Sequence, residues 1–395
     1  MGRSGPRRER RRSGGRPGRD GDGLSGRARA GRPGGPVGAG SHRWGGAVQR
    51  AAGDPLRGAA GTGDAPAARG ARALAARLAG GDGGRGPDAA GTARRRHHAG
   101  LERRGAATGG GPAAGAALER TRGRVVSPPR VAVIQFPGVN CEAESARALE
   151  RVGLIPELFR WTRPASELRG YQAYLLPGGF SYQDRVRAGA LAAKEPLVEV
   201  LAEEASRGKP VLGICNGAQV LVEAGLVPGG GGVELALARN HMPERSGYYA
   251  RWVYTRVEPS ACVFTRTLAA GTLLPLPVAH GEGRFASREP ARLEALLRAG
   301  QVPLRYAKAD GAPADAFPDN PNGAAAAAAA VCDARGTVLA LMPHPERAVD
   351  LGAMSRDTTG TWAEAREAAL RSGSADAPGP GLTLFAGLAR HLKEA

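Results

Sequence analysis

From Arg130 onward the apolar positions fall into short runs separated by stretches with helical spacing. "VAVIQF" (131–136), "IPELFR" (155–160), "AYLLPGGF" (173–180) and "KPVLGI" (209–214) have the length and composition of strands. Between them, "PGVNCEAESARALERVG" (137–153) reads as a loop and a helix. "LAAKEPLVEVLAEEASRG" (191–208) reads as a helix stopped by Gly208, and "NGAQVLVEAGL" (216–226) as a helix that follows its strand at once. Such alternation predicts βαβ units and an open, mainly parallel sheet covered on both faces. The second half is richer in strands, at 251–258, 274–283, 304–307 and 337–346, with one helix predicted over 289–300.

Residues 1–129 break this texture. Gly, Ala, Arg and Pro dominate, and 26 arginines against 9 acidic residues, with no lysine, give the segment +17 of the chain's +18. The high isoelectric point therefore describes this segment, and residues 130–395 are nearly neutral. Too few large apolar side chains are present to offset the entropy of ordering, so a disordered leader is expected there. Three origins compete: a misplaced start in a GC-rich coding region, a tail for acidic partners, and a targeting segment. A role in binding nucleic acid is disfavoured, because Trp44 is the segment's one aromatic residue. No run of 18 apolar residues occurs, so no membrane span is expected. The cysteines (Cys141, Cys215, Cys262, Cys332) form no C-x-x-C pair, which argues against a metal site or a disulfide framework and fits a reducing cytoplasm.

In an open sheet of this kind ligands bind beyond the carboxyl ends of the strands, and two strand ends carry reactive residues. Gly213-Ile214-Cys215-Asn216-Gly217 is a G-x-C-x-G form of the nucleophile elbow, a strand feeding a sharp turn with a helix behind it. The helix N-terminus favours a thiolate there, and the amide of Asn216 is placed to stabilise an oxyanion. The competing reading is a small buried structural cysteine. Met342-Pro343-His344-Pro345-Glu346 supplies what such a nucleophile needs: a base, and a carboxylate two residues on to fix its tautomer. The competing reading there is a proline-rich surface turn. The glycine loop "LPGGFSYQD" (176–184) lets backbone amides near Gly179 approach a ligand, and His280 with Glu282 in "VAHGEGRF" forms a second, decoy-like His-x-Glu pair.

"QFPGVNC", "LPGGFSYQD", "GICNGAQVL", "PVAHGEGRF", "NPNG" and "MPHPER", in this order, resemble the class I, triad-type glutamine amidotransferases, and among them the glutaminase subunits of phosphoribosylformylglycinamidine synthase. The resemblance runs from about Val131 to the C-terminus. It implies a flavodoxin-like doubly wound fold for residues 130–395, with Cys215 as nucleophile, His344 as base and acid, and Glu346 as its orienting partner. It implies Gly178, Gly179, Phe180, Asn216 and Gln219 as the substrate and oxyanion residues, and glutamine as substrate. Ammonia would pass to a large synthetase subunit that uses ATP and magnesium to convert formylglycinamide ribonucleotide to the amidine, with a small bridging subunit. No cofactor is expected on this chain, which has no G-x-x-x-x-G-K-[ST] loop.

A free-standing glutaminase or γ-glutamyl hydrolase, and a non-catalytic regulatory protein on the same scaffold, remain as alternatives. The sequence departs from the resemblance at Gln183, where glycine is usual, and at Ala218, where a larger residue is usual; both are expected near the glutamine pocket. The run Ala324–Ala330 is expected to be irregular or helical, since alanine is a poor strand former. Residues 354–381 read as an insertion close to the site.

Overall fold

The computed structural model describes residues 127–394. The expectations for residues 1–126 therefore lie outside the described residues.

Among the described residues, eleven strands and six α-helices run in the order β1 (Arg130–Gln135), α1 (Glu142–Glu150), β2 (Ile155–Arg160), β3 (Ala173–Leu176), α2 (Pro196–Ser206), β4 (Val211–Ile214), α3 (Asn216–Glu223), β5 (Leu235–Ala238), β6 (Tyr249–Val257), β7 (Leu273–His280), β8 (Arg284–Ser287), α4 (Arg292–Arg298), β9 (Leu304–Ala307), β10 (Ala328–Cys332), β11 (Val338–Leu341), α5 (Gly360–Arg371) and α6 (Leu382–Glu394). Nine strands form one sheet in the order β2-β1-β3-β4-β11-β10-β9-β6-β7, and β5 pairs with β8 in a small antiparallel ribbon. The sheet is parallel from β2 through β11 and antiparallel from β11 to β7. The parallel half is the α/β unit that the alternation of strands and helices predicts.

Its central strands β3, β4 and β11 are buried along their whole length, as an apolar run covered on both faces requires. Within the predicted helix 191–208, a short 3-10 turn at Ala192–Lys194 precedes α2, which begins at Pro196. Proline suits a first helical turn, where its missing N–H costs nothing.

The alanine run corrects its expectation in part. Ala325–Ala327 form an irregular turn with positive φ at Ala326 and Ala327, but Ala328–Ala330 enter β10 as a fully buried strand. Ladder bonds to β9 on one side and β11 on the other satisfy its backbone, and burial between two neighbours outweighs a weak local preference.

Residues 354–381 fold as a strap around α5. The strap returns to the stretch after His344 through Leu351 N–H to Ala377 O (2.8 Å), Gly352 N–H to Ala375 O (2.7 Å) and Gly379 N–H to Val349 O (2.8 Å). Asp350, buried in that stretch, takes ion pairs from Arg147 of α1 and from Arg151 just past its C-terminal end. The Trp362 indole N–H donates to Leu273 O at 2.9 Å, fixing α5 to β7.

Candidate active site

The site is set by strand register. β4 and β11 are parallel neighbours with Ile214 opposite Leu341, so the residues that follow each strand emerge side by side. Cys215 follows one, and Met342-Pro343-His344 follows the other. The Cys215 N–H donates to Leu341 O at 2.7 Å and ties the two ends together.

Cys215 has φ 49° and ψ −103°, a conformation outside the regions open to a residue with a Cβ. Holding it costs about 1–3 kcal/mol, which the surrounding packing must over-determine. The flanking glycines do so. A Cβ on Gly213 would lie 2.6 Å from Gly217 O, and one on Gly217 would fall on the carbonyl of Leu176, so both positions need close backbone approach. Helix α3 can then start directly behind the thiol.

His344 is buried, anchored by its N–H to Pro277 O at 2.8 Å, and its Nδ1 lies 2.6 Å from Glu346 Oε1. Nδ1 bonded to a carboxylate leaves Nε2 as the nitrogen for proton transfer, and Nε2 has no hydrogen-bond partner among the described residues. Burial by itself pushes the imidazole pKa down. The Glu346 carboxylate, then the Cys215 thiol and the Cys141 thiol, reverse this and hold it well above its ordinary value. The environment therefore favours the imidazolium form, the proton donor that an amide leaving group needs.

The predicted binding residues divide by what their groups do. In the glycine loop, the Phe180 amide is taken by Gly138 O (2.9 Å) and its ring is half exposed. The Gly179 amide has no such partner, at φ 146° and with Val139 packed against its Cα. Gly178 touches the base: a Cβ there would stand 2.8 Å from His344 Cε1. The Asn216 side chain is a latch, accepting from Ser181 N–H (3.0 Å) and donating to Gln219 Oε1 (2.9 Å) and Asp184 Oδ1 (3.3 Å). Gln219 donates to Glu282 O at 2.6 Å and so holds the HGEG turn. Among the predicted residues, the backbone amides of Gly178, Gly179 and Asn216 have no hydrogen-bond partner among the described residues, while the side chains of Asn216 and Gln219 shape the loops around them.

The second His-x-Glu pair is not a working couple. His280 Nδ1 lies 3.1 Å from Asn240 Oδ1, and the Glu282 carboxylate instead accepts from Ala188 N–H at 3.3 Å. Burial, and then the charge of His344, push the His280 pKa down to about 3, so it stays neutral. Gln183 sits at φ 59°, in a left-handed turn running from Tyr182 to Asp184. That conformation suits glycine, whose backbone reaches the left-handed region without strain. Ala218 is wholly buried in the apolar core.

Two residues at the site, Cys141 in "QFPGVNC" and Arg347 in "MPHPER", carry no role that the sequence motifs assign. Cys141, buried where α1 begins, and Arg347 meet there: Arg347 Nη2 donates to Cys141 Sγ at 3.0 Å. Cys141 Sγ, a His344 ring nitrogen and a Glu346 oxygen all lie within 4.8 Å of one another. These donors suit a soft metal. Here, however, they are engaged with one another and with a guanidinium whose charge opposes a second cation.

The sequence profile of the CobB/CobQ-like glutamine amidotransferase domain matches residues 128–375. Over 226 residues the chain is 46% identical to the phosphoribosylformylglycinamidine synthase subunit PurQ of Methanothrix thermoacetophila, covering 55% of this chain and 86% of that protein. Over 224 residues it is 49% identical to the subunit of the same name from Thermomicrobium roseum, covering 56% and 88%. The fold is similar to a chain in the solved structure of PurLQS from Thermotoga maritima, with a TM-score of 0.50, 31% identity, and coverage of 67% of this chain and 99% of that one. The profile match spans the strand ends that carry Cys215, His344 and Glu346, and the chain belongs to the CobB/CobQ-like glutamine amidotransferases, among the PurQ subunits of phosphoribosylformylglycinamidine synthase.

Proposed function

We propose that this chain hydrolyses glutamine at Cys215 and delivers the ammonia to a synthetase subunit. There, ATP and magnesium would drive conversion of formylglycinamide ribonucleotide to the amidine, in a complex that includes a small bridging subunit. One observation carries the reading: the parallel register of β4 and β11 puts a strained elbow cysteine beside a buried histidine whose Nδ1 is held by a carboxylate.

Cys215 passes its proton to His344, and Sγ attacks the side-chain amide carbon of glutamine. The tetrahedral oxyanion falls to the amides of Asn216 and Gly179; one such donor is typically worth about 2.7–4 kcal/mol. His344 Nε2 returns the proton to the leaving nitrogen, ammonia departs, and a γ-glutamyl thioester remains. Water, deprotonated by His344, attacks the thioester and releases glutamate and the Cys215 thiol. Glu346 keeps Nδ1 protonated throughout.

No described helix is long and apolar enough to cross a membrane, and all four cysteines are free and buried. A cytoplasmic site of action fits unpaired thiols. The test is ammonia release from glutamine with the synthetase subunit present. Cys215→Ala is expected to lower turnover by about 10⁴-fold or more. Unchanged turnover in that variant would sink the catalytic reading. Full wild-type activity without any partner would turn the assignment to a free-standing glutaminase.

A further inference from the structure

The mechanism above makes no use of a second thiol that stands against the same histidine. Cys141 is fully buried at the entry to α1, with its backbone sewn to the glycine loop: Asn140 N–H and Cys141 N–H both donate to Gly178 O, at 3.1 and 3.2 Å. Its Sγ would lie 3.2 Å from a Cβ on Gly178, and the same point is 2.8 Å from His344 Cε1 and 3.4 Å from His344 Nδ1. Gly178 thus meets both the thiol and the Cε1–Nδ1 edge of the imidazole, and a His344 ring nitrogen lies within 4.8 Å of the Cys141 sulfur. Arg347 fixes the thiol from the other side at 3.0 Å, and Cys141 Sγ lies 3.3 Å from Asn140 Oδ1. Glu346 keeps one oxygen on Nδ1, while its Oε2 is buried without a partner. A carboxylate with a free lone pair can hold an imidazole in more than one orientation, and a second contact on that edge narrows the choice.

We propose that Cys141 is a positioning residue for glutamine hydrolysis: clamped by Arg347, its thiol holds the Nδ1 edge of His344 so that Nε2 stays aimed at Cys215. This rests on the reading of Cys215, His344 and Glu346 as the catalytic set. Other titratable and charged groups also act on the imidazole. They are Glu346 and Arg347 on its own turn, Cys215 on the elbow, His280 at the end of β7, and Tyr248 just before β6, whose phenol feels both Cys215 and His344. Cys141 differs from these in being tied to the glycine loop at the entry to α1, with Arg347 on its sulfur. Its sulfur also favours the imidazolium, so its loss should lower the pH at which His344 gives up its proton.

The experiment uses the full chain assembled with its synthetase subunit, and follows ammonia release from glutamine against pH. Cys141→Ala and Cys141→Val remove the polar atom, the first with its volume and the second without. Both are expected to lower kcat by about 10-fold while KM holds within about twofold, and to move the high-pH limit of kcat/KM to lower pH. Cys141→Ser, whose hydroxyl can still receive Arg347 and face the ring, is expected to recover most of kcat and the limit. Three results overturn the proposal: an unchanged profile in Cys141→Ala and Cys141→Val; a kcat loss with an unmoved pH limit that serine does not rescue; or failure of both polar-free variants to fold. Cys215→Ala, measured alongside, separates these from a failure of the glutaminase reading, since only that failure leaves Cys215→Ala active.

Discussion

At the scale of single residues, the chemistry depends on how few groups stand between the elbow and the base. Glu346 is the strongest of the influences that raise the His344 pKa against the cost of burial. Glu346→Gln keeps the shape and removes that charge. The imidazolium then loses its proton at lower pH, so the high-pH limit of kcat/KM should move down and kcat should fall by about 10²–10⁴-fold. A profile of wild-type shape, merely scaled, would show that the carboxylate does not govern the proton. That Cys215 and the His344–Glu346 pair lie at strand ends is legible in the sequence, because each motif follows an apolar run, with Cys215 directly after β4 and His344 three residues beyond β11. Cys141 is not legible in the same way. Its role needs a contact with residue 344, more than 200 positions away, and no local pattern encodes such a distance.

Among the elements, the decisive contact is that of α3 with β3. Gly217, on the first turn of α3, lies so close to the Leu176 carbonyl that a Cβ would overlap it. Gly217→Ala must therefore push the helix off the sheet or bend the elbow. We expect it to destabilise the chain by about 1–3 kcal/mol in urea unfolding, and to lower glutaminase activity further through the displaced Cys215 amide neighbours. Wild-type stability and turnover in this variant would show that the elbow tolerates a wider helix–sheet gap. The glycine was readable from the G-x-C-x-G spacing. The fate of the alanine run was not: alanine is a poor strand former, yet the same residue type makes a turn at 325–327 and a buried strand at 328–330. What separated them was the presence of β9 and β11 as neighbours on both sides.

On the scale of the whole molecule, pH acts on the fold through His280 as well as on the site. Its folded pKa is about 3, below the ordinary 6.5, because burial excludes the charged form. The unfolded chain therefore binds a proton that the folded chain refuses between about pH 6.5 and 3, and stability falls as pH drops through that window. His344 has the opposite sign. Its raised pKa contributes stability that is fully present below about 6.5 and is lost as pH rises through the folded value. Urea midpoints compared at pH 7 and pH 4.5 should thus fall less in His280→Gln than in the wild type. Equal losses would assign the acid lability to other groups.

By itself the sequence determined the alternation of strands and helices, the elbow and the base with its acid, because all of these are local: apolar period, glycine at a crowded turn, proline beside a histidine. Its charge imbalance also marked off residues 1–129 by composition alone. Tertiary structure decided what depends on distant partners. It set the register that brings Ile214 opposite Leu341, and the antiparallel extension of the sheet. It separated His344 and Glu346, which bond to each other, from His280 and Glu282, whose identical spacing leads to different neighbours. It also brought Cys141 and Arg347 together beside His344. The physical reason is the same in each case: a hydrogen bond or a packed edge is fixed by which chain segment lies across from it, and only folding to a particular topology chooses that segment.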